Sequence, residues 1–202
     1  MKLTTKVAAA ALAAANAWAG QAGSGGQQAV VVYLRGEILV PTDICVHGET
    51  VAARMFSEIG VRLEWRHRWL AAGQAQREQA MVINIVRAIP THAGQNALGT
   101  ARLYEGSAIT IFYQSLKWAE QRPRLAPMLF AHVLAHEIAH NLQQVDRHSK
   151  TGIMKAQWTP KDLETMTDTP LRFEPEDVQW IYLGLAERAA RDARDANTAA
   201  AK

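Results

Sequence analysis

The chain has 202 residues, of which 49% are apolar and 20% charged, and its 22 basic and 19 acidic residues give a formal charge of +3. This length is sufficient for one domain with its own hydrophobic core. Because no dense run of Lys and Arg interleaved with aromatic residues occurs, the sequence does not favour a nucleic-acid partner.

The N-terminus has the pattern of a secretory signal peptide. Two lysines precede an Ala-rich apolar run, which ends in the small-x-small cleavage site Ala17-Trp18-Ala19. The run is shorter than the roughly 20 residues that cross a bilayer, so a membrane anchor is the weaker interpretation. We therefore expect an exported protein, periplasmic or secreted, which loses residues 1–19 and has no membrane contact afterwards. The mature chain would carry 20 basic and 19 acidic residues and be nearly neutral.

A single cysteine, Cys45, cannot form a disulfide within the chain. An exported chain of this kind must be held together by its core and by any metal that it binds. Cys45 is interpreted as a small buried apolar residue, with a thiolate that caps a metal as the alternative.

The first half of the mature chain is predicted to be rich in strands. A Gly/Ser/Gln-rich leader (20–28) comes first. After a first strand, one helix is predicted, because Val51, Met55 and Ile59 recur at helical spacing and Gly60 follows where a helix would stop. The segments with β-branched or alternating patterns are 29–38, 61–66, 80–89, 99–104 and 107–113. Glu105-Gly106 suits a tight hairpin between the last two, with 99–104 as the candidate edge strand.

From Pro127 onwards the apolar period becomes helical. Two stripes with a spacing of four residues run along this predicted helix on different sides, one apolar and one of histidines: Phe130, Leu134, Ile138 and Leu142, and His132, His136 and His140. The apolar stripe is expected to face the core and the histidines a cleft. An irregular segment is predicted to about Leu171, followed by a helix that begins at Pro175.

These elements predict an α+β domain over residues 29–188. We expect a mixed twisted sheet with an antiparallel edge strand, a long helix that carries the active site, and a small C-terminal subdomain with one helix. Residues 189–202 are polar and Ala-rich, and they are predicted to form a disordered tail.

The segment "HEIAHNLQQVDRHSKTGIM" (136–154) predicts a zinc site. On a helix, His136 and His140 differ by about 40° around the axis and about 6 Å along it, so both can reach one ion. Glu137 lies about 100° around the helix, where its carboxylate would reach a water molecule and serve as a general base. His132 is interpreted as a histidine that supports a ligand from behind or lies on the surface, and an ordinary polar helix face is the alternative for all three histidines.

The same segment resembles the signature of the metzincin metallopeptidases, and the histidine-serine pair followed by a methionine is similar to the matrixin branch. The resemblance implies that His136, His140 and His148 are zinc ligands, that Glu137 is the general base, and that Met154 belongs to a methionine turn under the metal. Met154 also has a simpler interpretation as apolar packing.

The spacing departs from the family pattern. The third histidine of the family usually follows the second by six residues, with a glycine midway, whereas His148 follows His140 by eight without a glycine. The helix would then have to end at Gln143, Gln144 or Asp146. Further candidates for the third ligand stay open, and they are Asp146, Glu164 and Glu174.

The sequence therefore predicts an exported, zinc-dependent metalloendopeptidase that takes a protein or peptide substrate, extended along the edge strand 99–104. One alternative is a metal-binding or interaction protein of the same fold without hydrolysis. Another is a zinc hydrolase of non-peptide amides or esters. The sequence does not indicate an oligomeric state.

Overall fold

A computed structural model of the chain describes residues 28–36, 39–67, 73–77, 80–87, 97–101 and 108–200. The predicted signal peptide (1–19), all but Gln28 of the predicted leader, and the turn at Glu105-Gly106 lie outside these residues. Export and signal cleavage therefore stay predictions. No helix in the described ranges is long and apolar enough to span a membrane.

The strands form one mixed sheet in the order β2-β1-β3-β5-β4. They are β1 (Gln28–Arg35), β2 (Val61–Arg66), β3 (Met81–Val86), β4 (Gly99–Ala101) and β5 (Ala108–Phe112). The pairs β1–β2, β1–β3 and β3–β5 are parallel, and β4 runs antiparallel to β5 at the edge. Three consecutive residues of β1, Val32, Tyr33 and Leu34, are buried, as expected of a parallel strand that is covered on both faces.

Besides two 3-10 turns (Tyr113–Ser115 and Lys117–Ala119), five α-helices accompany the sheet in the described part of the chain. They are α1 (Thr42–Ser57), the single turn α2 (Gln74–Arg77), α3 (Leu125–Gln143), α4 (Pro160–Asp168) and α5 (Pro175–Ala200). This architecture confirms the predicted α+β fold with a mixed sheet, an antiparallel edge strand and a long helix.

Helix α3 is the centre of the packing. It contacts α1, α4, α5 and the strands β4 and β5, and nearly all of its residues are buried. It begins at Leu125, two residues before the predicted start, so Pro127 lies in its first turn, where a proline does not remove a helical hydrogen bond. A helix that is buried all round is held by its neighbours, which fixes the position of the histidines on it.

The C-terminal part contains the predicted helix α5 and also the shorter helix α4, which lies in the segment that was predicted to be irregular. Thr159 and Asp162 form a capping box at the start of α4, and Pro160 occupies its first turn. Asp162 also forms an ion pair with Lys155. These local interactions explain a helix whose apolar pattern is too short to be recognised.

Helix α5 begins at Pro175 as predicted and continues through 189–200, where its described side chains are largely exposed. Its first half packs directly on α3. A Cβ added at Gly184 would lie 1.7 Å from the carbonyl oxygen of Leu142, so the two helix backbones are in contact at this point. The division into a domain and a tail stays a prediction.

Candidate metal centre

His136 and His140 are brought together by the helical repeat of α3. Their Nε2 atoms are 3.0 Å apart, because residues four apart lie one above the other on a helix. Both rings line a cavity of about 530 Å³ between α3, the edge strand β4 and the chain after α3. The predicted orientation of these two histidines towards a cleft is thus observed.

His148 reaches the same point from the loop that follows α3. Its Nε2 atom is 3.2 Å from that of His140, and one ring nitrogen from each of the three histidines lies within 4.8 Å of the others. The chain turns at Gln144, the C-cap, which has a left-handed backbone with φ 55° and ψ 25°. Gln144 was one of the three residues at which the helix was predicted to end, and it takes the conformation that a glycine usually supplies.

Two of the three distances between these nitrogens match those between the ligands of a zinc ion. Zn–N bonds of about 2.0–2.1 Å in a tetrahedral site separate neighbouring ligand atoms by about 3.3 Å, close to the 3.0 Å between His136 and His140 and the 3.2 Å between His140 and His148. The third pair lies within 4.8 Å. Burial, followed by the neighbouring His140, lowers the pKa of His136 to about 3. Burial and His148 likewise lower the pKa of His140. Both rings are therefore neutral near pH 7, and the neutral imidazole is the form that binds a metal.

The far side of His136 is held by the protein. Its Nδ1 donates a hydrogen bond of 2.8 Å to the carbonyl of Ile153, which leaves the lone pair of Nε2 directed to the cavity. Trp158 packs edge-on against the same ring, with centroids 5.7 Å apart. The backbone that supplies Ile153 is in turn fixed, since its N–H donates to the carbonyl of Arg172 at 3.0 Å.

Met154 follows Ile153 in a tight turn that Ser149 closes by donating its N–H to the carbonyl of Met154 at 2.8 Å. Gly152 in this turn has φ 76°, which favours glycine. Met154 itself is fully buried in the core. Its burial agrees with both interpretations made from the sequence, and its role under a metal stays a prediction.

Glu137 lies on the same cavity wall and is only 6% exposed. Burial, and then the negative charge of Asp146, raise its pKa to about 8. The pKa falls again when a cation is bound nearby, because a positive charge favours the carboxylate form. The protein thus holds a carboxyl group, one residue from the first histidine, in an environment where it can take up and release a proton.

Gly99 of β4 makes room for this carboxyl group. A Cβ added at Gly99 would lie 2.8 Å from Oε1 and 2.9 Å from Cδ of Glu137. Any side chain at this position would therefore displace the carboxyl group. Sequence reasoning did not single out Gly99, because the contact joins residues that are far apart along the chain.

His132 does not face the cleft, in contrast to the expectation for the histidine stripe. It is fully buried, its Nδ1 donates to the carbonyl of Met128 at 2.6 Å, and its Nε2 accepts the N–H of Leu171 at 3.0 Å. Burial lowers its pKa to about 4. The physical reason is its position one turn earlier on α3, under the chain that leads to α5, so it links α3 to the C-terminal part.

The other candidates for the third ligand lie elsewhere. Asp146 is exposed at the cavity rim, outside the group of three converging nitrogens. Glu164 is exposed on α4, and Glu174 accepts a hydrogen bond from Thr151. Among the described residues, His136, His140 and His148 form the only group of three or more histidine, cysteine or acidic side chains that could hold a metal ion.

Comparison with known proteins shows a likeness of fold. No protein-family profile matches the chain, and no curated protein matches its sequence. A solved structure with a similar fold is that of a zinc-dependent peptidase from Methanocorpusculum labreanum, with a TM-score of 0.52 and 10% sequence identity. The similarity covers 74% of this chain and 99% of the other.

Proposed function

We propose that this chain is an exported zinc-dependent metallopeptidase of a metzincin-like kind. One observation carries the proposal: three imidazole nitrogens converge at one point of a cavity, and a buried glutamate and an edge strand line the same cavity. The zinc-dependent peptidase from Methanocorpusculum labreanum, which shares the fold, supports it. The metzincin-like order of ligand histidines, general base and turn methionine is part of the proposal.

His136, His140 and His148 would hold the zinc ion through Nε2. Zinc in such a site polarises the substrate carbonyl and makes water a better nucleophile near neutral pH. The Ile153 carbonyl keeps His136 in the tautomer that offers Nε2, and Trp158 restricts the rotation of its ring. The histidines thus need little rearrangement on binding the ion.

Glu137 would act as the general base. Its carboxylate takes a proton from the attacking water and returns it to the amine that leaves when the peptide bond breaks. A general base must be in its charged form to accept a proton. Burial raises the pKa of Glu137, and a bound cation would lower it again and favour the carboxylate. Gly99 keeps the space that the carboxyl group occupies.

Strand β4 would bind the substrate. It lies at the edge of the sheet and pairs with β5 on one side, and all three of its residues line the cavity. An extended peptide could add to this edge through main-chain hydrogen bonds, which do not require a particular sequence. This edge supports protein or peptide as the proposed substrate class.

The test is hydrolysis of a mixed peptide library by the mature protein, with and without a chelator, together with metal analysis. We expect close to one zinc per chain and activity that the chelator abolishes and zinc restores. Glu137→Gln should lose at least about 10²-fold in rate and keep its zinc. The matched control Glu164→Gln, on the exposed face of α4, should keep both activity and zinc.

Each alternative has its own outcome. Zinc binding without hydrolysis of peptides, amides or esters would support a metal-binding or interaction protein. Hydrolysis of small esters or amides but of no peptide would support a different zinc hydrolase. A protein that takes up no transition metal would refute the metal site.

A further inference from the structure

His148 differs from the other two histidines in how it is supported. His136 and His140 lie on a buried helix, and His136 has a second hydrogen bond to Ile153. His148 is exposed, lies in an irregular segment after α3, and has only the contact of its Nε2 with His140 as a hydrogen bond within the described chain. Its ring also lies against the rings of His136 and His140, and the path of its backbone brings it to them.

That backbone is held on both sides by one carboxylate, Asp177 of α5. Oδ1 of Asp177 is 2.6 Å from Nη1 of Arg147 and accepts a hydrogen bond of 2.6 Å from Oγ of Ser149. Arg147 and Ser149 are the two neighbours of His148 in the chain. The two contacts together restrict the segment at the residue before the histidine and at the residue after it.

The remaining polar atoms of Asp177 tie the same unit to the helices. Its Oδ2 accepts the N–H of Glu174 at the start of α5, at 3.0 Å. Its own carbonyl accepts a hydrogen bond of 3.2 Å from Gln143, the last residue of α3. Asp177 therefore connects the end of α3, the start of α5 and the segment between them.

Burying the charged carboxylate of Asp177 costs free energy unless these partners are present. The Asp177 side chain is completely buried, and a buried charge is stable only when it is paired and hydrogen-bonded. The neighbouring Glu176 also contacts Arg147, at 3.0 Å, but its side chain is 65% exposed. An exposed ion pair of this type contributes little to geometry or stability. Asp177 and Glu176 therefore touch the same arginine with very different consequences.

We propose that Asp177 is a positioning residue for the third histidine: it holds His148 at the metal centre through Arg147 and Ser149. This inference rests on the proposed function, because it assumes that His148 binds the metal. Residues that orient a ligand from behind typically change metal affinity by 10- to 100-fold when they are removed.

The experiment measures the zinc dissociation constant of the folded mature protein by competition with a chromophoric chelator. Asp177→Ala should raise the constant by about 10- to 100-fold, and the milder Ser149→Ala should raise it by a smaller factor. Glu176→Ala, which removes the exposed contact with the same arginine, should leave the constant unchanged. Ile181→Ala, at a fully buried position of α5, serves as a control for loss of stability alone.

A double-mutant cycle separates positioning from general destabilisation. In the His148→Ala background, Asp177→Ala should have no further effect on zinc affinity, because the ligand that it positions is absent. If Asp177→Ala binds zinc like the parent, or weakens binding equally in both backgrounds, the inference is wrong. If Asp177→Ala does not fold, the same cycle with Ser149→Ala decides. If the parent itself binds no zinc, the proposed function fails and the inference fails with it; if the parent binds zinc and Asp177→Ala binds it equally well, the inference alone fails.

Discussion

The buried histidine His132 predicts a loss of stability in mild acid. Its Nδ1 donates to Met128 and its Nε2 accepts the N–H of Leu171. Protonation of Nε2 would place a hydrogen opposite the N–H of Leu171 and break this link. Burial lowers the pKa of His132 in the folded protein from 6.5 to about 4.

The direction and size of the effect follow from this pKa. Well above pH 6.5, His132 is neutral in the folded and in the unfolded chain, so its titration does not change the free energy of unfolding. Between pH 6.5 and 4 the unfolded chain binds a proton that the folded protein does not, so the free energy of unfolding falls as the pH falls. The difference between a pKa of 6.5 in the unfolded chain and about 4 in the folded protein lowers the free energy of unfolding by about 3 kcal/mol in total. Well below pH 4, His132 causes no further loss.

The comparison is between the parent and His132→Gln, in urea titrations from pH 7.5 to 4 followed by tryptophan fluorescence. The glutamine side chain can still accept a hydrogen bond from the N–H of Leu171, and it does not titrate in this pH range. The variant should be less stable at pH 7, and the difference should shrink or reverse towards pH 4. Since titration of the other groups is common to both proteins, as would be the acid release of any bound metal, the pH dependence of the difference isolates His132. A difference that is constant with pH would refute the reasoning.

Two further predictions concern residues around the candidate centre. Gly99→Ala should place a methyl group where the Glu137 carboxyl lies. We expect kcat for peptide hydrolysis to fall by about 10- to 100-fold, while metal analysis shows an unchanged zinc content. An unchanged kcat would show that the carboxyl group is not held there during catalysis. Gln144→Gly and Gln144→Ala both lose the hydrogen bond to Asn141, but only glycine adopts the left-handed conformation without strain. The glycine variant should therefore be more stable than the alanine variant by about 0.5–1 kcal/mol in urea titrations; equal stability would show that the backbone at this position is not strained.

The sequence by itself determined the local elements and the nucleus of the site. The β-branched run of β1, the alternation of β2 and the apolar stripe of α3 depend on backbone periods that repeat every two or about four residues. The same helical period predicts that His136 and His140 meet. It also places Glu137 beside them on the adjacent side of the helix. The capping box of α4 was present in the sequence too, in Thr159 and Asp162, but a helix of nine residues has little apolar pattern to reveal it.

Only the tertiary structure decided which distant residues meet. Four candidates for a third ligand followed the pair in the sequence, and the path of the chain after the left-handed Gln144 brings His148 to the other two nitrogens. Asp177 lies in the first turn of α5, where acidic residues are common, and only its burial against Arg147 and Ser149 indicates a different role. Gly99 and Glu137 meet because β4 lies beside α3. Irregular segments have no repeating backbone angles, so contacts across them depend on how the helices and the sheet pack together.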